Sequence, residues 1–384
     1  MEKEKKPQNT SRRKFLQVGG SVAVGAVIAG VAGNKLWKMV TNPGELFYGE
    51  KNSRKTGNAA VRASALQTGW RQTGGFMTAD VMTAFDVDEA RQLIIAASEG
   101  AVSLYTPDGT RTFHFSLPAE RGTVRDVAVN DGKIYLLHPT CIGVYDFTGK
   151  EVQMWKSCSD AADHCGIAVT RNAVFVTDAS AKNICLYRHD GSMVRFIDSP
   201  KGFVVPSYSF AIAHFGDDVY CSNPGRHLVE HYSSKGEYVG SFGKTGIEEG
   251  AFCGCCNPVH IAFTPTGDLL TSEKGRPRIS CYAPDGTFRS TLLDAAAMGG
   301  GNEAYDIKVI GSRLAVAKGR NVAFFQYEGN GKAVAGLCGS CTVPCPIGQQ
   351  VNKSTSCSAD CTQRVDSLTC GLVDPTTRMA RITY

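Results

Sequence analysis

The 384-residue sequence lacks an apolar run long enough to cross a bilayer as a helix. The run at residues 18–32 has 15 residues and is rich in Gly and Ala, whereas a spanning helix needs about 20 apolar residues. A haem-attachment motif, a nucleophile elbow and a phosphate loop between a strand and a helix are also missing. The sequence therefore gives no support for a c-type cytochrome, an α/β hydrolase or a P-loop nucleotide enzyme.

Excess charge is scarce beyond the N-terminus. The formal net charge is +5, and six basic and two acidic side chains in residues 1–33 account for four of these charges. The rest of the chain is nearly neutral. Because proteins that bind nucleic acids usually carry a basic patch, we expect no nucleic-acid partner.

Short apolar strands, by contrast, are abundant and recur in units of 40–50 residues between residues 66 and 329. Turn glycines mark the units at positions 109, 149, 191, 236 and 286. Four strands per unit at this period are typical of a β-propeller. The sequence therefore predicts an all-β fold, a six-bladed β-propeller over 66–329. The segment near residues 66–73 is expected to supply the outermost strand of the last blade and close the ring.

The repeat resembles the NHL repeat. Phe175-Val176-Thr177-Asp178 and Leu270-Thr271-Ser272-Glu273 carry the resemblance best. The segment 252–258, Phe-Cys-Gly-Cys-Cys-Asn-Pro, is similar to bacterial exported NHL proteins, some of which are tied to redox systems. The resemblance implies a propeller over roughly residues 80–328. It leaves the function open, because such propellers bind proteins, bind nucleic acids or carry catalytic sites.

The N-terminus resembles a twin-arginine (Tat) export signal. The motif consists of Ser11, Arg12, Arg13, Phe15 and Leu16. The resemblance implies that residues 1–33 are a signal or a retained anchor, that the Tat translocon is a partner during export, and that the protein works in the bacterial periplasm or on the outer face of the inner membrane. Residues 34–65 are polar and basic and are interpreted as a linker. Membrane contact is then expected only through the N-terminal segment.

Nine of the 15 cysteines lie within the repeat region. Six are expected at one rim of the propeller: Cys141, Cys158, Cys165, Cys253, Cys255 and Cys256. The same rim is expected to carry His138, His164, Asn223, His260 and Glu273. Because thiolates and imidazoles bind soft and borderline metals, Cys253, Cys255 and Cys256 form a candidate metal site. The alternatives are disulfides, Cys158–Cys165 across a loop and Cys255–Cys256 between neighbours.

The other three cysteines of the repeat region, Cys185, Cys221 and Cys281, fall within strand patterns, so we expect them to be buried as small apolar residues. Charged residues at strand ends are expected near the mouth of the central channel, mostly as its solvated lining: Asp126, Asp178, Glu273, Lys274, Asp306 and Lys318.

Residues 330–384 form a cysteine-rich tail. Its cysteines are Cys338, Cys341, Cys345, Cys357, Cys361 and Cys370. With few large apolar side chains, such a segment needs covalent or metal cross-links to fold. The run from Cys338 to Pro346 resembles the latter part of a bacterial ferredoxin motif, with Ala335 in the place of its first cysteine. This resemblance implies a [4Fe-4S] cluster held by Cys338, Cys341, Cys345 and Cys361, with Cys357 or Cys370 as alternative ligands. Three disulfides are the other reading, since six cysteines suit an oxidising compartment.

Three functions follow from these patterns. The first is an exported redox-associated or electron-transfer propeller with a thiolate-bound iron-sulfur or other metal centre, whose partner is an envelope or membrane redox protein. The second is a non-catalytic envelope binding or scaffold propeller whose cysteines are disulfides. The third is a metal-dependent propeller hydrolase or lyase. Whether the protein is an enzyme stays open, and a non-catalytic binding or electron-transfer subunit is favoured.

Overall fold

The computed structural model describes residues 69–207 and 209–328. Within these residues, 24 strands form six four-stranded sheets arranged as a closed ring. Helical structure in this part of the chain is limited to two 3₁₀ turns, Ala119–Arg121 and Pro224–Arg226. The predicted all-β, six-bladed β-propeller is confirmed.

Each of the first five blades is a run of four consecutive antiparallel strands. Blade 1 contains β2 (Met82–Asp88), β3 (Leu93–Ser98), β4 (Ala101–Tyr105) and β5 (Arg111–Ser116). Blade 2 contains β6 (Asp126–Asn130), β7 (Lys133–Leu137), β8 (Cys141–Asp146) and β9 (Glu151–Lys156). Blade 3 contains β10 (His164–Val169), β11 (Val174–Asp178), β12 (Asn183–Tyr187) and β13 (Met193–Ile197). Blade 4 contains β14 (Ile212–Phe215), β15 (Asp218–Asn223), β16 (Leu228–Tyr232) and β17 (Tyr238–Phe242). Blade 5 contains β18 (His260–Phe263), β19 (Leu269–Glu273), β20 (Arg278–Tyr282) and β21 (Phe288–Asp294).

Blade 6 joins the two ends of the repeat region. It contains β22 (Asp306–Ile310), β23 (Arg313–Lys318) and β24 (Asn321–Tyr327), and its outermost strand is β1 (Trp70–Met77) from the start of the described chain. The predicted closure is confirmed, with the strand displaced a few residues along the chain from 66–73. Because the N–H of Glu328 donates to the carbonyl of Gly69 at 2.8 Å, the chain enters and leaves the propeller at one place.

The apolar core is divided into layers between neighbouring blades. The middle strands β11 and β20 are buried at every residue, because sheets on both sides cover their faces. The outermost strand β5 is mostly exposed. One such layer packs Ile95 and Leu104 of blade 1 against Val127 and Leu136 of blade 2. Strands covered on both faces read as continuous apolar runs, which explains the repeated pattern in the sequence.

The turn glycines fit each blade to the one before it. All five have positive φ angles between 75° and 89°, a region that residues with a side chain rarely adopt. They also lack space, because a Cβ atom at any of them would lie within 2.8 Å of a bulky side chain in the outermost strand of the preceding blade. Gly109, Gly149, Gly191, Gly236 and Gly286 contact Phe76, Phe115, Trp155, Ile197 and Phe242, respectively. Both conformation and packing therefore require glycine here.

The first strands of the six blades surround the central channel, each contacting the next. Their pairing with the second strands aligns one position from each blade into a ring. The ring consists of Asp86, Ala128, Ala168, Ala213, Ala262 and Lys308. All six line a cavity of about 190 Å³. Four small side chains leave this space open, and the two charged ones make it polar on one side.

Candidate functional site: the cysteine rim

Six thiols lie at the end of the blades where the first strands begin. We call this end the cysteine rim, defined by Cys141, Cys158, Cys165, Cys253, Cys255 and Cys256. Cys141 opens β8, Cys165 is the second residue of β10, and the others lie in the connections between blades. The structure also places His138, His164, Asn223, His260 and Glu273 at this end of their strands. All nine cysteines of the described residues are free thiols.

The connection between β17 and β18 carries three of these thiols. Cys255 is exposed and Cys256, its neighbour, is 2% exposed. Their Sγ atoms are 2.9 Å apart, closer than a non-bonded sulfur contact and longer than the roughly 2.05 Å of a disulfide bond. The two thiols therefore form a contacting pair with one member open to solvent. The hydrogen bond with Cys256 raises the pKa of Cys255.

We call this connection, residues 243–259, the cysteine loop. The side chain of Asn257, which is 1% exposed, holds it in place. Its amide nitrogen donates to the carbonyls of Cys253 at 2.5 Å and Lys274 at 3.0 Å, and its oxygen accepts the N–H of Lys274 at 2.9 Å. Both N–H donors and the oxygen of this buried amide are hydrogen-bonded. The loop thus has a defined conformation, although it belongs to no strand.

A buried ion pair supports the same loop from the blade interior. Arg278 donates to both carboxylate oxygens of Glu273, at 2.7 and 3.0 Å, and it also donates to the carbonyl of Ala251 in the loop. The Sγ of Cys253 lies 4.0 Å from Oε2 of Glu273. Cys253 therefore contacts a carboxylate of β19, whereas Cys255 and Cys256 contact each other.

The remaining rim thiols lie apart from one another. The Sγ of Cys158 contacts the hydroxyl of Tyr187 at 3.7 Å, and Cys165 donates to the carbonyl of Asp163 at 3.4 Å. The Cys158–Cys165 disulfide, one of the alternatives left open by the sequence, is not formed. Burial raises the pKa of Cys165 to about 12 and also raises that of Cys141. These two thiols are protonated at neutral pH.

Metal binding at the rim has limited geometric support. Within residues 69–207 and 209–328, no three His, Cys, Asp or Glu side chains converge to hold a metal ion. Cys253, Cys255 and Cys256 are arranged as one pair and one separate thiol. His138 and His164 are each 0% exposed, and neither Nε2 atom has a hydrogen-bond partner. Burial lowers the pKa of both imidazoles, so both are neutral.

The channel holds a second group of charged residues, which tie neighbouring blades together. A carboxylate oxygen of Asp126 in β6 accepts the N–H of Ile167 in β10 at 2.9 Å. Asp86 of β2 similarly accepts the N–H of Val129 in β6 at 2.8 Å. Burial raises the pKa of Asp126 to about 7. These carboxylates therefore stabilise the ring by linking blade 1 to blade 2 and blade 2 to blade 3.

An ion pair and a histidine–aspartate contact connect blades 5, 6 and 1 at the same channel. The Nζ of Lys308 lies 3.4 Å from an oxygen of Asp86, and the Nδ1 of His260 lies 3.4 Å from Asp306. Burial lowers the pKa of His260, so its imidazole is neutral. Burial opposes the charge of Lys308, but the three neighbouring aspartates raise its pKa above the usual value. Sequence reasoning missed Asp86 and Lys308. The signal was available, since both stand at a ring position that is alanine in the other four blades.

Two of the charged residues expected at the channel mouth lie elsewhere. Asp178 is 3% exposed and accepts three backbone N–H groups, one of them from Asp163 in the preceding loop. Glu273 is 0% exposed and is paired with Arg278. The prediction of a solvated channel lining was wrong for both, because strand-end carboxylates here satisfy buried backbone and guanidinium donors. Lys274 instead donates to Ser207 at 2.9 Å, and Lys318 lies over the ring of Tyr305.

Several predicted features lie outside the described residues. These are the export motif of Ser11, Arg12, Arg13, Phe15 and Leu16, the linker 34–65, and the tail cysteines Cys338, Cys341, Cys345, Cys357, Cys361 and Cys370. In the part of the chain that is described, no helix has the length and apolar character to cross a membrane.

Comparisons with known proteins find likeness at the level of the solved structures. No family model and no curated protein matches the sequence, so the resemblance to NHL repeats stays a prediction. The Pan2 WD40 domain of Neurospora crassa is 10% identical, over 68% of this chain and 96% of that chain, with a TM-score of 0.48. Virginiamycin B lyase from Staphylococcus aureus is 13% identical, over 67% and 99%, with a TM-score of 0.46. A protein of unknown function from Bacteroides thetaiotaomicron is 11% identical, over 67% and 76%, with a TM-score of 0.49. No residue role is transferred from any of them.

Proposed function

We propose that this chain is an exported propeller protein associated with redox chemistry, acting as a binding or electron-transfer subunit for an envelope or membrane redox partner. The observation that supports the proposal is the placement of the thiols. Six lie on one rim of the propeller, and Cys255 presents its sulfur to solvent beside Cys256. An exposed thiol is accessible to partner proteins and small oxidants, which buried thiols such as Cys221 are not.

The tail supplies the second part of the proposal. Cys338, Cys341, Cys345 and Cys361 would hold a [4Fe-4S] cluster, with Cys357 or Cys370 as replacement ligands. Four thiolates are the donor set that such clusters take, so the residue types fit. When bound, the cluster supplies one-electron transfer, and the propeller supplies the surface on which a redox partner docks.

Metal analysis of the full-length protein tests the cluster. Protein purified without oxygen is expected to contain iron and acid-labile sulfide in equal amounts, and Cys341→Ser is expected to lose both. Cys185→Ser is the matched control, because this buried thiol of β12 lies in the propeller core and its replacement leaves the iron content unchanged. Iron-free protein whose six tail cysteines are joined in pairs would refute the electron-transfer role.

The second candidate is a non-catalytic binding or scaffold propeller, and the outer surface of blades 2 to 4 favours it. Three successive outermost strands each expose two large apolar side chains. These are Val152 and Met154 of β9, Val194 and Phe196 of β13, and Tyr238 and Val239 of β17, all between 42% and 56% exposed. Exposed apolar patches of this kind often mark protein interfaces. If this candidate is right, the protein contains no iron and still binds an envelope partner through the exposed apolar side chains of β9, β13 and β17.

A further inference from the structure

We propose that Cys255 and Cys256 form a thiol–disulfide redox pair that exchanges electrons with small disulfides or with the disulfides of partner proteins. The proposal does not depend on the tail cluster, because it concerns residues of the propeller alone. It would hold whether the tail carries iron or disulfides.

Distance is the first argument. The two Sγ atoms are 2.9 Å apart, so bond formation requires an approach of less than about 1 Å. Both residues lie on one loop that is anchored on either side, by Arg278 at Ala251 and by the fully bonded side chain of Asn257. The pair can therefore close without a rearrangement of the blades.

Strain in the closed form is the second argument. Adjacent Cα atoms across a trans peptide are about 3.8 Å apart, below the usual Cα–Cα range of roughly 4.4–6.8 Å for a disulfide. Strained, exposed disulfides have more oxidising potentials and are the labile, regulatory or catalytic ones. A bond between Cys255 and Cys256 is thus suited to forming and breaking, and poorly suited to holding the loop together.

Unequal exposure of the two thiols is the third argument. Cys255 is exposed whereas Cys256 is 2% exposed, so an external disulfide can reach only Cys255. Cys256 then sits behind it, in contact with its sulfur. An accessible thiol next to a resolving thiol is a common arrangement of redox-sensor cysteines. The raised pKa of Cys255 makes its thiolate the minor form at neutral pH, so the exchange is expected to speed up as the pH rises.

The reaction proceeds in two balanced exchanges. The Cys255 thiolate attacks one sulfur of an external disulfide RSSR, forming a mixed disulfide and releasing one RS⁻. The Cys256 thiolate then attacks the Cys255 sulfur, which breaks the mixed disulfide, forms the Cys255–Cys256 bond and releases the second RS⁻. Two electrons pass from the cysteine pair to RSSR, and the two thiol protons go to solvent or to the released thiolates. A dithiol reverses the sequence.

Cys253 is excluded from the pair by its surroundings. Its sulfur faces a carboxylate oxygen of Glu273 at 4.0 Å, and the amide of Asn257 holds its carbonyl. The three cysteines nevertheless share one tryptic peptide, residues 245–274, so its mass counts the labels and its fragmentation assigns each label to one cysteine.

Titration of the full-length wild-type protein is the first test. The protein is equilibrated in mixtures of reduced and oxidised glutathione, its free thiols are alkylated, and peptide 245–274 is weighed. We expect two labels to disappear together as the buffer becomes more oxidising, while Cys253 stays labelled. Retention of all three labels under every buffer, or a bond that includes Cys253, would overturn the proposal.

Three variants assign the roles within the pair. Cys256→Ser is expected to trap glutathione on Cys255, because the resolving thiol is gone. Cys255→Ser is expected to react at least about tenfold more slowly with oxidised glutathione, since Cys256 is shielded from solvent. Cys253→Ser is the matched control and should titrate like wild type. Equal trapping by the first two variants would show that the burial difference does not direct the exchange, and the wild-type titration remains decisive if a variant misfolds.

Discussion

Cysteines of the blade interior and cysteines of the rim share one chemistry and have opposite surroundings. Cys221 and Cys281 are 0% exposed within β15 and β20, where they pack in the apolar layers between blades. Burial raises the pKa of Cys281 to about 12 and raises that of Cys221 well above its usual value. Cys255 is exposed on a loop and touches a second thiol. The interior strands therefore bury their cysteines, whereas the loop at the rim leaves one of its thiols, Cys255, open to solvent.

The architecture explains this difference. Second and third strands of a blade have a neighbouring sheet on both faces, so a small apolar side chain such as Cys281 fills space there. Connections between blades belong to no sheet, so exposure there differs between neighbouring residues: Cys255 is exposed whereas Cys256 is 2% exposed. The environment of such a thiol is set by a few specific contacts, such as those of Asn257 beside the cysteine loop.

The largest expected effect comes from Glu273, where interior and rim meet. Replacing Glu273 by Gln leaves the guanidinium of Arg278, 8% exposed, without its buried counter-charge. Breaking a buried ion pair in this way costs about 3–5 kcal/mol. We expect the free energy of unfolding, measured with denaturant, to fall by that amount. Because Arg278 also donates to the carbonyl of Ala251 in the cysteine loop, we also expect Cys255 and Cys256 to lose their preference over Cys253 for disulfide formation.

Glu248→Gln is the matched control for that experiment. Glu248 pairs with Lys244 at 3.0 Å, and both side chains are more than half exposed, so its stability should equal that of wild type within error. If both variants had the unfolding free energy of wild type, the Glu273–Arg278 pair would not stabilise the fold. The rim loop would then be independent of the blade interior, contrary to the contacts of Arg278.

Carboxylates extend the comparison to a pH effect. Burial raises the pKa of Asp126 to about 7, above its value of about 3.9 in an unfolded chain. The folded protein therefore binds more protons than the unfolded chain between about pH 4 and 7, and this contribution to stability is present below pH 4 and lost as the pH rises to 7. Asn does not titrate, so the unfolding free energy of Asp126→Asn should rise by roughly 2–4 kcal/mol relative to that of wild type as the pH increases from 4 to 7. Denaturant unfolding at several pH values measures this difference.

An exposed aspartate provides the contrast. Hydrogen bonds from Thr148 lower the pKa of Asp146, so its stabilising contribution is lost only as the pH falls through that lowered pKa. The unfolding free energies of Asp146→Asn and wild type, plotted against pH, should thus run parallel above pH 5. A parallel course for Asp126→Asn as well would mean that the channel carboxylate is solvated like the exposed one.

The blade repeat was accessible to sequence reasoning because its causes are local. Strand pattern, turn glycines and period predicted the six blades and the burial of Cys185, Cys221 and Cys281, all of which the structure confirms. The contact between Cys255 and Cys256 was present only as one of several alternatives, since adjacent cysteines can bond, bind a metal or remain apart.

Contacts between distant segments were beyond that reasoning. Glu273 has the pattern of a polar strand end, and only the fold shows that it pairs with Arg278, which also donates to the loop carbonyl of Ala251. The Asp86–Lys308 ion pair joins residues from opposite ends of the propeller sequence. The two residues stand out in the aligned repeat, but their contact depends on the fold, which places blade 1 beside blade 6.

The smallest expected effects separate two cysteine-to-serine substitutions. In Cys221→Ser, a hydroxyl replaces a thiol at a position that is 0% exposed in an apolar layer, with Glu230 as its charged cross-strand neighbour, so burial of the more polar group should cost about 1–3 kcal/mol of unfolding free energy. In Cys158→Ser, the same change occurs at an exposed loop position, where we expect a difference within about 0.5 kcal/mol. Denaturant unfolding under reducing conditions measures both, so that no disulfide contributes. Equal losses for the two variants would show that burial does not distinguish interior from rim thiols, because the chemical change is identical and only the surroundings differ.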